Sequence, residues 1–189
     1  MTEAQLLAAC LRNDARAQTI FYERFKKRVW AVCRRYTRTT AEAEDVLQEV
    51  FIKLFKNLGK VSKPEALGGW VHQITVTVSI DYYRKHFRDN WLLNLNESME
   101  EIENSINTLP LAIENLSYQE MLDLIHSLPE GYRMVLNLYI IDGYSHDEIG
   151  KLLNISEGTS RSQLSRAKES LRQKIEIAEK KTPIEPVLI

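Results

Sequence analysis

The chain has 189 residues, 44% of them hydrophobic and 27% charged, with a formal net charge of −1. That length suits one large domain or two small ones, and the near-neutral charge argues against a freestanding basic DNA-binding protein. Only 7 Gly and 5 Pro, with few alternating β-branched runs, favour an all-α fold. Cys10 and Cys33 are too few for a disulfide framework and read as small buried thiols of a reducing cytoplasm. The N-terminus lacks the basic start and long apolar core of a signal peptide. No stretch approaches the roughly 18–20 apolar residues that cross a bilayer. The expectation is a cytoplasmic protein, not itself inserted in a membrane.

Thr2 and Gln5 form the first capping-box pattern, ahead of Leu6, Leu7, Cys10 and Leu11 at helical spacing. Asn13-Asp14 reads as a turn or cap. A second helix then points Ala17, Phe21, Phe25, Val29, Val32, Cys33 and Tyr36 inward, with Arg24, Lys26, Lys27, Arg28, Arg34 and Arg35 on its other faces. Thr39-Thr40 and Glu42 start a third, the clearest amphipathic helix: Val46, Leu47, Val50, Phe51, Leu54, Phe55 and Leu58 recur at i, i+3, i+4 and i+7. Asp45, Gln48, Glu49 and Ile52 make a second face of mixed character, suited to docking on another helix pair.

Gly59–Gly69 is a loop by composition. Trp70 opens the next helix and reads as a core anchor. Its run ITVTVSI has strand-like composition, but Trp70, Ile74 and Val78 keep helical spacing, and Asp81 can pair with Arg84 or Lys85. The helix ends in Tyr82, Tyr83, Arg84, Lys85, His86 and Arg88. Aromatics among cations suit single-stranded or distorted DNA, and equally a helix C-terminus whose cations meet the dipole. Asn90–Asn115 has little periodicity and reads as an acidic linker.

Structure resumes at Ser117 with a capping box to Glu120 and a staple between Leu116 and Met121. Pro129 suits the first turn of the following helix, which carries Met134, Val135, Leu138 and Tyr139, and Gly143 is a natural C-terminal cap. Ser145 with Glu148 caps a short helix bearing Ile149, Leu152 and Leu153. Asn154-Ile155-Ser156 breaks it, and Ser156 caps a longer helix with Leu164, Ala167 and Leu171 on one side. Arg161, Ser162, Gln163, Ser165, Arg166 and Lys168 are expected off that stripe. This is the pattern of a helix-turn-helix whose second helix enters the major groove; it also fits an αα-hairpin with a solvated face. Charge is segregated: Lys151–Lys174 is basic, whereas Asp89–Tyr132 holds nine acidic residues, from Asp89 to Glu130, and no Lys or Arg.

Three stretches in this order, AEAEDVLQEVFIKLF, WVHQITVTVSIDYYRK and LPEGYRMVLNLYIIDGYSHDEIGKLLNISEGTSRSQLSRAKESLR, resemble the extracytoplasmic-function sigma factors, the smallest class of bacterial RNA polymerase sigma subunits. The resemblance covers about Ala17 to Leu171. It implies two small helical domains joined by an acidic linker, with residues 1–89 like sigma region 2, 90–115 the linker, 116–176 like sigma region 4 with its helix-turn-helix, and 177–189 a tail. It implies that Asp45, Gln48, Glu49, Phe51 and Ile52 bind the clamp helices of the polymerase β′ subunit. Gly59–Gly69, with Lys60, Ser62 and Lys63, corresponds to the loop that captures a flipped −10 base. Trp70, Gln73, Thr77, Tyr83, Arg84 and Lys85 lie on the helix that reads and melts the −10 element. Ser156, Thr159, Arg161, Ser162, Ser165 and Arg166 correspond to the readers of the −35 element.

The implied partners are core RNA polymerase (β′ clamp helices and β flap), promoter DNA and an anti-sigma factor. Four positions depart from the family. Arg or Lys is usual at Gln73, Asn at Thr77, an apolar residue at Ser160 and a basic one at Gln163. The residues by themselves leave two other readings. One is a freestanding helix-turn-helix regulator. The other is a helical metal-carboxylate enzyme, for which Glu120, Asp123 and His126 are the only hint; three-residue steps drift around a helix and disfavour one ligand set. No Gly-rich phosphate loop or nucleophile elbow is present, and no catalytic residue, cofactor or metal is expected.

Overall fold

The computed structural model describes residues 1–93 and 117–181, with side chains within 1–86 and 117–177. Among the described residues all regular structure is helical, and the chain divides into two compact units, Met1–Arg88 and Asp89–Ile189. The staple partner Leu116, the greater part of the expected linker and the tail from residue 182 lie outside the described residues.

Unit 1 contains α1 (Glu3–Leu11), α2 (Ala15–Tyr36), α3 (Thr40–Asn57) and α4 (Leu67–Leu93), the last continuing past its boundary. The capping boxes Thr2–Gln5 and Thr39–Glu42 both form. Asn13 turns the chain with φ 60°, a conformation its short side chain tolerates, and the Asp14 carboxylate then accepts the Ala17 N–H at 3.0 Å to start α2. All seven inward residues expected of α2 are buried. Phe21 packs its ring 4.8 Å from Phe25 and 5.4 Å from Phe55 of α3. Val46, Val50 and Leu54 of α3 close the core from the other side.

The run ITVTVSI is helical because burial outweighs the few tenths of a kcal/mol by which β-branched residues disfavour a helix. Its hydroxyls stay paired. Thr75 Oγ1 donates to the Val71 carbonyl at 2.7 Å, Thr77 Oγ1 to Gln73 at 2.8 Å and Ser79 Oγ to Thr75 at 2.8 Å. Two boundaries differ from expectation. Gly59–Gly69 is not all loop: 3-10 turns span Leu58–Lys60 and Pro64–Ala66, and α4 begins at Leu67, which is fully buried. Gly68 lies within α4 beside α2, where a Cβ would stand 3.4 Å from Arg28 Nη1. At its other end α4 runs through Asn90 to Leu93, since Asp89–Leu93 holds no Gly or Pro to stop it.

Unit 2 contains α5 (Tyr118–His126), α6 (Glu130–Leu136), α7 (His146–Leu153) and α8 (Glu157–Lys181). Pro129 precedes α6 rather than lying within it, and its carbonyl accepts the Arg133 N–H at 2.9 Å. A π turn over Asn137–Ile141 follows, closed by Asp142 N–H to the Asn137 carbonyl at 2.9 Å. The extra residue per turn leaves Tyr139 at the surface. Gly143 takes φ 78° and sends the chain into α7. Arg133 is almost wholly buried, its Nη2 3.9 Å from Glu130 Oε1; this internal ion pair had no signal in the hydrophobic pattern.

Leu54→Ala should lower unit 1 stability by about 2–5 kcal/mol, read by denaturant titration under circular dichroism. Burial pushes the Cys33 thiol up to about 12. A thiol reagent near neutral pH should therefore label it only once the unit unfolds.

Candidate nucleic-acid interface

On α3 the polar face is continuous. Asp45, Gln48 and Glu49 are exposed, and Ile52 is 55% exposed beside them. These residues are spaced i, i+3, i+4 and i+7, which places them on one side of the helix. The opposite side holds Ala43, Val46, Val50 and Leu54 in the core. Phe51 is the exception to the expected set. It is only 5% exposed, with its ring 4.6 Å from Tyr22. Its place in the helical repeat joins it to the Leu54 side, so it anchors α3 and is not available for contact.

Lys60, Ser62 and Lys63 are exposed on and beside the two 3-10 turns. Along α4, Gln73 and Arg84 are exposed, Trp70 and Thr77 half-buried. At about 3.6 residues per turn these four share one side of the helix, while Trp70 also packs on the core. Lys85 is exposed a little further round. Tyr83 falls on the far side and is 3% exposed, so the expectation that it touches DNA is corrected: it is an interior residue of unit 1. The side chain of Arg84 lies 3.9 Å from Asp81, which also meets Lys53 of α3 at 3.4 Å.

In unit 2 the helix-turn-helix is built largely from local hydrogen bonds. Ser145 and Glu148 cap α7 reciprocally, Asn154 ends it in the left-handed region, and Ser156 Oγ accepts the Thr159 N–H at 2.9 Å at the start of α8. The turn is close, since a Cβ on Gly150 would lie 2.9 Å from the Ile155 carbonyl oxygen. Leu164, Ala167 and Leu171 bury one side of α8. Arg161 and Ser162 are exposed, and Ser165 and Arg166 half-buried, on the other faces. Arg161 pairs with Glu157 one turn back. Exposed pairs of that kind contribute only about 0.3–0.5 kcal/mol. A bidentate contact to guanine supplies about 1–3 kcal/mol of discrimination, so the pair does not hold the guanidinium back from a base.

Gln163 needs correction, whereas Ser160 does not. Gln163 was expected on the outer face, yet it is buried, and its Oε1 has no hydrogen-bond partner among the described residues. Its position four residues before Ala167 carries the signal that places it inside. Ser160, at a usually apolar position, is fully buried and bonded to His146 Nδ1 at 2.9 Å. His146 itself had no assigned role. Burial, then the nearby Arg161 and Lys168 against an opposing pull from Glu157, hold its pKa below the usual imidazole value. Among the described residues no group of three or more His, Cys, Asp or Glu gathers where one metal ion could bind, and no helix is long and apolar enough to cross a membrane.

Two family models match the chain: sigma-70 region 2 over residues 21–88 and sigma-70, region 4 over residues 118–171. The chain is 29% identical over 175 residues to the ECF RNA polymerase sigma factor SigW of Bacillus subtilis (strain 168), covering 87% of this chain and 91% of that one. It is 26% identical over 186 residues to the ECF RNA polymerase sigma-E factor of Escherichia coli (strain K12), covering 93% and 95%. In fold it is similar to the sigma factor RpoE of Bartonella quintana, solved in complex with the anti-sigma factor NepR, with a TM-score of 0.52 and 18% identity over 83% of this chain and 97% of that one.

A pH dependence follows from His146. The folded protein binds that proton less readily than the unfolded chain, whose imidazole titrates near 6.5. Unit 2 should keep its full stability above that value and lose part of it as pH falls through the lowered folded-state pKa. The carboxylates of Glu120 and Glu148, both lowered by their Ser caps, act only in a more acidic window. Thermal melts from about pH 7.5 to about pH 5 should show the decline, and His146→Asn should flatten it.

Proposed function

The chain belongs to the extracytoplasmic-function group of sigma-70 factors, and from that premise we propose how its two units share the work of binding core RNA polymerase and directing promoter-specific initiation. One observation carries the assignment: α3 uses one side to build the core of unit 1 and leaves Asp45, Gln48, Glu49 and Ile52 as a continuous exposed face. That face suits the clamp helices of the β′ subunit. It offers one apolar anchor within a polar rim, the composition of a reversible protein interface.

The −10 element is read by Lys60, Ser62, Lys63, Trp70, Gln73, Thr77, Arg84 and Lys85. Exposed cations there meet phosphates, while the edge of Trp70 and the amide of Gln73 meet unstacked bases. The −35 element is read in the major groove by Arg161, Ser162, Ser165 and Arg166, with Ser156 and Thr159 at the start of α8 beside the backbone. Residues 1–89 form the first of these modules, 116–176 the second and 90–115 the connection. Residues 1–89 hold 16 Lys and Arg against 10 Asp and Glu, but 116–176 hold 7 against 9, so tight binding of the second module to promoter DNA comes from holding both on one polymerase.

The protein contributes recognition, and the polymerase performs the chemistry. Its partners are core polymerase, promoter DNA and an anti-sigma factor of the kind that accompanies its structural relative. Its place of action is the cytoplasm, where the polymerase works. In a reconstituted system, Gln48→Ala with Glu49→Ala should weaken core binding about tenfold or more. Arg161→Ala should spare core binding and cost promoter use about 1–3 kcal/mol. Core binding unchanged in the first pair would remove the assignment of the α3 face.

A further inference from the structure

A helix-turn-helix reads bases only while its two helices keep a set relation. Here Ile149, Leu153, Leu164 and Ala167 supply apolar contact between them and their neighbours. Apolar contact is non-directional and tolerates small rotations. A directional contact joins α7 to α8. His146, the first residue of α7, places Nδ1 2.9 Å from the Ser160 hydroxyl, 14 residues on. Both side chains are buried. The imidazole is confined from another direction by Tyr139 of the π turn, whose ring stacks on it at 4.3 Å with planes 19° apart. Ser160 immediately precedes Arg161 and Ser162.

We infer that His146 is the positioning residue of the −35 reader. Its imidazole, held between Tyr139 and Ser160, sets the rotation of α8 about its own axis and so aims Arg161 and Ser162 into the major groove. The inference rests on the assignment of α8 to the −35 element. Its physical basis is the penalty for an unmade buried hydrogen bond. Turning α8 would carry the Ser160 hydroxyl away from Nδ1 and break a buried hydrogen bond, a penalty that an all-apolar junction does not impose. It also accounts for a hydroxyl at a position where the family usually carries a hydrocarbon.

The test uses the full chain assembled with core polymerase. The probe is a promoter fragment whose −35 element the wild-type holoenzyme selects from a randomised pool. The readout is the affinity for that fragment divided by the affinity for one with a scrambled −35 element. A variant that merely unfolds part of the protein lowers both affinities and leaves the ratio in place. His146→Leu keeps the bulk without the hydrogen bond, and His146→Asn keeps an amide atom near the position of Nδ1. His146→Leu and Ser160→Ala should each lower the ratio about fivefold, the factor carried by one neutral hydrogen bond, and the double variant should fall no further. His146→Asn should retain most of the wild-type ratio. An unchanged ratio in His146→Leu, or an equal fall in His146→Asn, overturns the inference. Arg161→Ala separates the two levels: if it lowers the ratio while His146→Leu does not, the positioning role alone fails. If Arg161→Ala also leaves the ratio intact, the −35 assignment fails with it.

Discussion

Val46, Val50 and Leu54 are fully buried, and their removal from water sets the rotation of α3 about its own axis. Each such side chain contributes about 1.5–3 kcal/mol when buried, far more than the exposed ion pairs of unit 1 can add. Once that side is committed to the core, Asp45, Gln48, Glu49 and Ile52 have to face outward. The same constraint acts on α8, where Leu164, Ala167 and Leu171 turn Arg161 and Ser162 to the surface. The surfaces proposed for recognition are the complement of the cores.

Both units hold paired polar groups in their interiors. In unit 1 the hydroxyls of Thr75 and Ser79 donate to carbonyls of their own helix, and Ser79 also meets the Cys33 thiol of α2. In unit 2 one buried polar pair lies within a helix and another crosses between two helices. Arg133 and Glu130 meet inside the unit, and His146 reaches Ser160 across the helix-turn-helix. Breaking a buried ion pair by removing one partner costs about 3–5 kcal/mol, even where the intact pair adds little net stability. Such groups therefore favour one arrangement over near alternatives more than they deepen the well. A small helical unit that must present a few side chains to base edges benefits from that selectivity.

Charge follows the same division. The net charge of −1 conceals a basic helix-turn-helix and a strongly acidic stretch before it. Much of the basic character of α8 is met locally: Arg161 pairs with Glu157, and Arg172 with Glu169 and Glu176. A module of this kind binds DNA weakly on electrostatics alone. Modest affinity in each reader, joined through a common scaffold, lets promoter choice depend on both elements together.

Four capping boxes, at Thr2, Thr39, Ser117 and Ser145, form as their spacing implied, and the inward face of α2 matches its pattern residue for residue. The resemblance to sigma factors was legible on the same grounds, because its motifs are runs of adjacent residues in a fixed order. The errors share a different origin. The resemblance gave Phe51 and Tyr83 to contact surfaces, yet both belong to the interior of unit 1, where the apolar stripe of α3 had already placed Phe51. Gln163 is a polar residue that was given to the outer face and lies inside, and His146 had no assigned partner. By itself the sequence determined how most helices cap and which stripe of each is apolar, because those choices are made between residues three or four apart. Tertiary structure alone decided which borderline aromatic, amide or imidazole falls inside. That choice depends on the side chains brought opposite from distant parts of the chain, such as Ser160 facing His146 across 14 residues, and on where a π turn shifts the helical phase.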